Sequence, residues 1–191
     1  MSTANEGDYP VIPQIQEKAT QLFDSYQQRH SRVLSVREDI RYPADYGPVY
    51  DNEDIAKTMA KVAQTFKRKG LDPAYIWVRA EKSSEHPHYH CLVLLDGQKT
   101  RSAGMVYDVT ERHWQNTIGA SAVGLIERCN GDREHPHENG EVIPRSVGRP
   151  DYVNRQISYI AKTKEKSPRK DGLRDFGMSR LKKNPTTQNS N

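Results

Sequence analysis

The stretch His86-Pro87-His88-Tyr89-His90 sets two imidazoles two residues apart. Side chains alternate along an extended strand, so His88 and His90 share a face and can reach one metal ion without distorting the backbone. Leu92 and Leu94 continue that face, while Tyr89, Cys91, Val93 and Leu95 take the other. Both faces are apolar beyond the histidines, as expected of a central strand packed on both sides with the histidines at its wet mouth. With Lys82 to Pro87 as a plain six-residue loop, Glu81 lies opposite His88 and shares its face. Two imidazoles, a carboxylate and open positions suit Mn²⁺ or a comparable divalent ion better than Mg²⁺ alone, and leave room for a phosphate oxygen. The residues also allow blander readings: polar surface histidines, or a structural zinc site drawing on Cys91, Cys129, His135 and His137. Cys91 has the wrong strand parity to join His88 and His90, and neither cysteine has a Cys-x-x-Cys partner.

A second chemical feature lies between Pro150 and Lys164. At about 100° per residue from Tyr152, a helix here gathers Val153, Ile157 and Ile160 into a stripe between about 80° and 140°. Tyr152, Gln156 and Tyr159 lie within about 40° of zero, with Arg155 and Lys162 on the flank. Both tyrosines are therefore off the buried stripe and beside cations. A nearby cation favours a phenolate, which is a nucleophile toward phosphorus. The same pattern also describes amphipathic surface tyrosines lying on their neighbours.

The surrounding elements follow from periodicity. Ile15, Leu22, Phe23 and Tyr26 predict a helix over Pro13 to His30, and Arg32 to Tyr42 reads as a strand ended by Pro43. Ile55, Met59, Val62 and Phe66 predict a helix over Asp51 to Lys69, stopped by Gly70. Ala74 to Ala80 and His88 to Leu95 read as a hairpin. Asp108 and Glu111 form a possible capping box for a helix running to Ala122, and Gly124 to Cys129 and Glu141 to Val147 are two further candidate strands. The expected class is α+β, an antiparallel sheet of about five strands with helices packed on it.

The 191 residues hold one ordinary domain with tails: 1–30 as an N-terminal segment with a helix, 31–166 as the domain proper, and 167–191 as a basic tail. No run approaches the ~20 apolar residues of a membrane span, and no basic segment followed by an apolar one marks secretion. With two cysteines and no disulfide framework, a reducing cytoplasm is the expected setting. Residues 149–191 carry 11 Lys and Arg against 4 Asp and Glu, a net +7, whereas residues 1–148 carry 18 against 21, a net −3. A basic final fifth on a mildly acidic body is consistent with a polyanion contact, and equally with a solubilising tail.

Taken together, the histidine strand and the tyrosine helix resemble the HUH single-strand endonucleases: rolling-circle replication initiators, relaxases and related transposases. His88-Tyr89-His90 matches the His-hydrophobic-His strand, and Tyr159-Ile160-Ala161-Lys162 the Tyr-x-x-Lys helix. VREDIRYP (Val36 to Pro43), YIWVRAEKSSEHPHYH (Tyr75 to His90), ISYIAK (Ile157 to Lys162) and FGMSRL (Phe176 to Leu181) are similar to the inovirus-type initiators of filamentous phages, the YagK/YfjJ C-terminal domain family. The resemblance implies the Rep-like HUH fold and a nicking reaction on single-stranded origin DNA. Tyr159 is the implied nucleophile, assisted by Lys162, with His88, His90 and Glu81 holding Mn²⁺ or Mg²⁺. It further implies a 5′-phosphotyrosine link, a free 3′-OH and later rejoining, in the cytoplasm of a bacterial host. Arg155, Lys164, Lys166, Arg169 and Lys170 are expected on the strand's backbone. No Gly-rich P-loop is present, so a host helicase and polymerase are the expected partners. A transposase, a mobilisation relaxase or a non-catalytic DNA-binding regulator are the alternatives.

Overall fold

A computed structural model describes residues 10–81, 86–129, 139–163 and 172–182. The predicted apolar stripes become four helices: α1 (Pro13–Arg29), α2 (Glu53–Arg68), α3 (Ala103–Ile118) and α4 (Asp151–Ala161). They pack on strands β1 (Arg32–Ile40), β2 (Ala74–Ala80), β3 (His88–Asp96), β4 (Ile126–Arg128), β5 (Val142–Pro144) and β6 (Phe176–Met178). The sheet runs β4-β1-β3-β2-β6, with β5 also on β1, and every pairing is antiparallel. This is the expected α+β class, with the histidine strand at the centre.

Strand alternation sorts the core into two layers. Val33, Ile76, Val78, Leu92 and Leu94 face α1 and α4, where they pack with Phe23, Tyr26, Val153, Ile157 and Ile160. Leu34, Val36, Trp77, Cys91, Val93 and Leu95 face α2 and α3, packing with Met59, Phe66, Val106 and Trp114. Each helix buries one stripe and the sheet buries both faces, so β3 is covered throughout and only His88 at its start is half-buried. Glu38 is a buried carboxyl on the second face, accepting a hydrogen bond from Thr110 Oγ1 at 2.8 Å. Burial pushes its pKa up to about 8, against the lowering effect of the Thr110 bond.

Two elements differ from the expectation. The helix predicted from Asp108 starts at Ala103, where Ser102 has extended backbone and its Oγ accepts the Met105 N–H at 3.1 Å. Val106 and Tyr107 are buried like Val109, Trp114 and Ile118, so the apolar stripe already runs upstream of Asp108 and the cap at Ser102 wins. The helix ends at Gly119 in the left-handed conformation. The second difference is β6, which pairs Met178 with Ile76 and Phe176 with Val78 and so returns part of the predicted tail to the sheet. Gly177 lies against Trp77 so closely that a Cβ would stand 2.5 Å from the indole ring, which only glycine avoids.

The outer edge of β1 is covered piecewise. β5 pairs with Arg32 to Leu34, Gly140 N–H donates to Ser35 O at 3.0 Å, and β4 pairs with Glu38 to Ile40. At Arg37, between them, the Asn139 side chain stands in for a strand, accepting from the Arg37 N–H and donating to its carbonyl, both at 2.7 Å. Among the described residues no helix is long and apolar enough to cross a membrane.

Candidate active site

The α4 stripe fixes what the rest of the helix can reach. With Val153, Ile157 and Ile160 buried beneath α1 and the sheet, Tyr159 in the last turn is directed to the polar end of β3. Its ring lies 5.2 Å from that of His90, centroid to centroid, and the His88 and His90 rings are 5.0 Å apart. Residues 69 positions apart in sequence, read separately as histidine pair and tyrosine, thus form one site.

Cations cover the phenol. The Arg37 guanidinium carbon sits 3.8 Å and Lys162 Nζ 3.5 Å from the Tyr159 ring centroid, both within cation–π range. Lys162 is buried at 7% exposure and is the C-cap residue that ends α4. An N-terminal strap holds it there. Val11 bridges Lys162, Ile12 N–H donates to Ala161 O at 2.8 Å, and Thr163 N–H donates to Pro10 O at 2.8 Å.

The histidine pair is buttressed by a carboxylate that the sequence did not single out. Asp39 lies opposite His90 in the β1–β3 register, with Oδ1 2.8 Å from His90 Nδ1. Burial alone would raise the Asp39 pKa, but the bond and charge of His90 and the Arg37 charge outweigh it and lower the value to about 2. An ionised carboxylate only accepts, so His90 Nδ1 carries the proton of this bond. A carboxylate behind an imidazole is the usual support of a metal-bound histidine.

Glu81 is not brought to this face. Ala80, not Glu81, pairs with His88, one residue off the register that a plain loop predicts. That slip turns Glu81 to the opposite face, with Arg79, whose Nε donates to Glu81 Oε1 at 2.7 Å. What the structure brings together is the pair of imidazoles, His88 and His90, with Asp39 behind His90. Among the described residues no group of three His, Cys, Asp or Glu is disposed to hold a metal.

Tyr152, the other candidate nucleophile, packs partly buried against the α1–α4 core, as its amphipathic reading has it. Arg155 is half-buried on α4. Lys164, Lys166, Arg169 and Lys170 lie outside the described residues. Sequence reasoning missed Arg37, Asp39 and Asn139. The first two had a signal, a cation and an anion two residues apart inside an otherwise strand-like run.

The family model of the YagK/YfjJ C-terminal domain matches residues 3–179. The chain belongs to that family. The match takes in α1 and β6 along with the elements that carry the histidines and the tyrosine. No curated protein matches the chain. Among solved structures, the N-terminal nuclease domain of minute virus of mice non-structural protein 1 is similar at 10% identity, over 91% of this chain and 75% of that one, with a TM-score of 0.28. That domain coordinates Zn²⁺ in its active-site pocket and recognises DNA at an origin of replication.

Proposed function

We propose that this YagK/YfjJ-family protein is a single-tyrosine endonuclease and strand transferase that starts rolling-circle replication of an inovirus-type phage or prophage. The observation that carries the reading is the contact of the Tyr159 ring with His90 of the histidine pair. In the nicking step, Tyr159 Oη attacks a backbone phosphorus. The new Oη–P bond replaces the P–O3′ bond, the phenolic proton passes to solvent, and the departing 3′ oxygen takes up a proton to become the 3′-OH primer. The 5′ side stays on the enzyme as a phosphotyrosine ester. Since one phosphate ester replaces another, the reverse attack by a 3′-OH rejoins the strand without ATP.

The chain's own residues orient and charge-balance that exchange. Lys162 and Arg37 lie over the phenol, where positive charge favours an oxyanion developing on Oη. Asp39 fixes the His90 tautomer and ring. His88 and His90 would hold a divalent ion, Mn²⁺ or Mg²⁺, which would supply Lewis-acid polarisation of a phosphoryl oxygen. Arg155, Lys164, Lys166, Arg169 and Lys170 are proposed to follow the backbone of single-stranded origin DNA, with helicase and polymerase supplied by the host.

Mass spectrometry of covalent adducts tests this. The protein is incubated with Mn²⁺ and a pool of random-sequence single-stranded oligonucleotides, then digested. A nucleotide-bearing peptide containing Tyr159 is expected, lost in Tyr159→Phe and kept in Tyr152→Phe. An adduct on another residue refutes the assignment, and none at all leaves the DNA-binding regulator as the better reading.

A further inference from the structure

We propose that Arg37 is a positioning residue that ties the histidine side of the site to the tyrosine; this rests on the nicking reading above. Its surroundings are hard to explain by stability alone. A guanidinium on a buried sheet face is costly unless all its donors are satisfied. Arg37 is only 15% exposed through its side chain, yet its buried Nε has no hydrogen-bond partner among the described residues.

What it does hold is informative. One terminal nitrogen donates to both Asp39 oxygens, at 3.3 and 3.2 Å, while the plane of the same group lies against Tyr159. Asp39 in turn holds His90. A single side chain therefore spans from the carboxylate behind the imidazole to the nucleophile's ring. Its backbone is pinned as well, through both hydrogen bonds of Asn139. Asn139 also donates to Tyr107 Oη at 2.8 Å and accepts from Gln156 of α4 at 3.5 Å, one turn before Tyr159.

Arginine suits this task and lysine does not. A planar guanidinium stacks on a ring and directs a fork of donors sideways at once, whereas an ammonium supplies a point charge. The role is thus separable from charge, and Arg37→Lys is the decisive variant. Arg37→Gln removes the charge too.

The test measures single-turnover adduct formation on one oligonucleotide recovered from the random pool, alongside its affinity, Mn²⁺ binding and the melting temperature of each variant. Both Arg37 variants are expected to fold and to bind the oligonucleotide within about 3-fold of wild type, while adduct formation slows by about 10-fold or more, since loss of orientation acts on the step after binding. Wild-type rates in Arg37→Lys overturn the positioning role. So does a loss of affinity that accounts for the whole loss of rate, which makes Arg37 a DNA contact. Failure of both variants to fold overturns it as well, by making Arg37 structural. No adduct from wild type sinks the nicking reading itself, and this proposal with it.

Discussion

Asp39 carries the sharpest prediction at the residue scale. Asp39→Asn keeps the shape but lets an amide N–H face His90 Nδ1, so the imidazole loses its fixed tautomer. Mn²⁺ affinity should fall by about 10- to 100-fold, read by titration calorimetry, with little change in fold. Glu81→Gln should leave that affinity unchanged, because Glu81 serves Arg79 on the other face. Glu38 makes a separate prediction about pH. Its folded pKa is about 8 against an ordinary 4.5, so between these values the folded protein keeps a proton that the unfolded chain has released. Stability therefore falls as pH rises through that window, by at most about 1.4 kcal/mol per unit, and is flat above it. Glu38→Gln should remove the slope and melt higher than wild type at pH 8, but not at pH 4, in thermal scans. At this scale the histidine pair was legible because parity needs only the sequence. Glu81 was misplaced because the turn, not the count of loop residues, sets hairpin register. Arg37 and Asp39 were legible only as a charged alternation, since their partners come from β3 and α4.

Among the elements, the strap made by Pro10 to Ile12 bears most directly on chemistry. It supplies backbone bonds to the end of α4 just where Lys162 leaves the helix. Deletion of residues 1–12 should slow adduct formation by about 10-fold or more, because Lys162 and the last helical turn lose their fixed place, while Mn²⁺ affinity is unchanged. Matched kinetics and calorimetry on the truncated chain check this. The four helices were legible because each has an apolar stripe long enough to show its period. The start of α3 was not, because two plausible caps compete and only packing of Val106 and Tyr107 decides between them. β6 was missed because three residues show no alternation, and its place comes from pairing with β2 and from the fit of Gly177 to Trp77.

For the whole molecule, the uneven charge predicts how the proposed DNA binding responds to salt. The log of the binding constant should fall linearly with the log of salt concentration, as displaced counterions return. Neutralising Lys164, Lys166, Arg169 and Lys170 together should flatten that line by about 0.7 per lost phosphate contact, measured by fluorescence anisotropy across salt concentrations. Mn²⁺ affinity should not change. The α+β class was legible from the alternation of stripes and strand-like runs, but the layering was not. Which helices share a face with the histidines depends on the crossing order β4-β1-β3-β2-β6, and no local pattern encodes that order.

The strap also fixes an order of events during synthesis. Pro10 and Thr163, which it joins, are 153 residues apart in sequence. While the chain is still emerging from the ribosome, β1, β2 and β3 can pair and present the imidazoles long before residue 163 is free to meet residue 10. Tyr159 is thus the last of these side chains to be seated, and a nascent chain can gather its histidines well before the phenol reaches them.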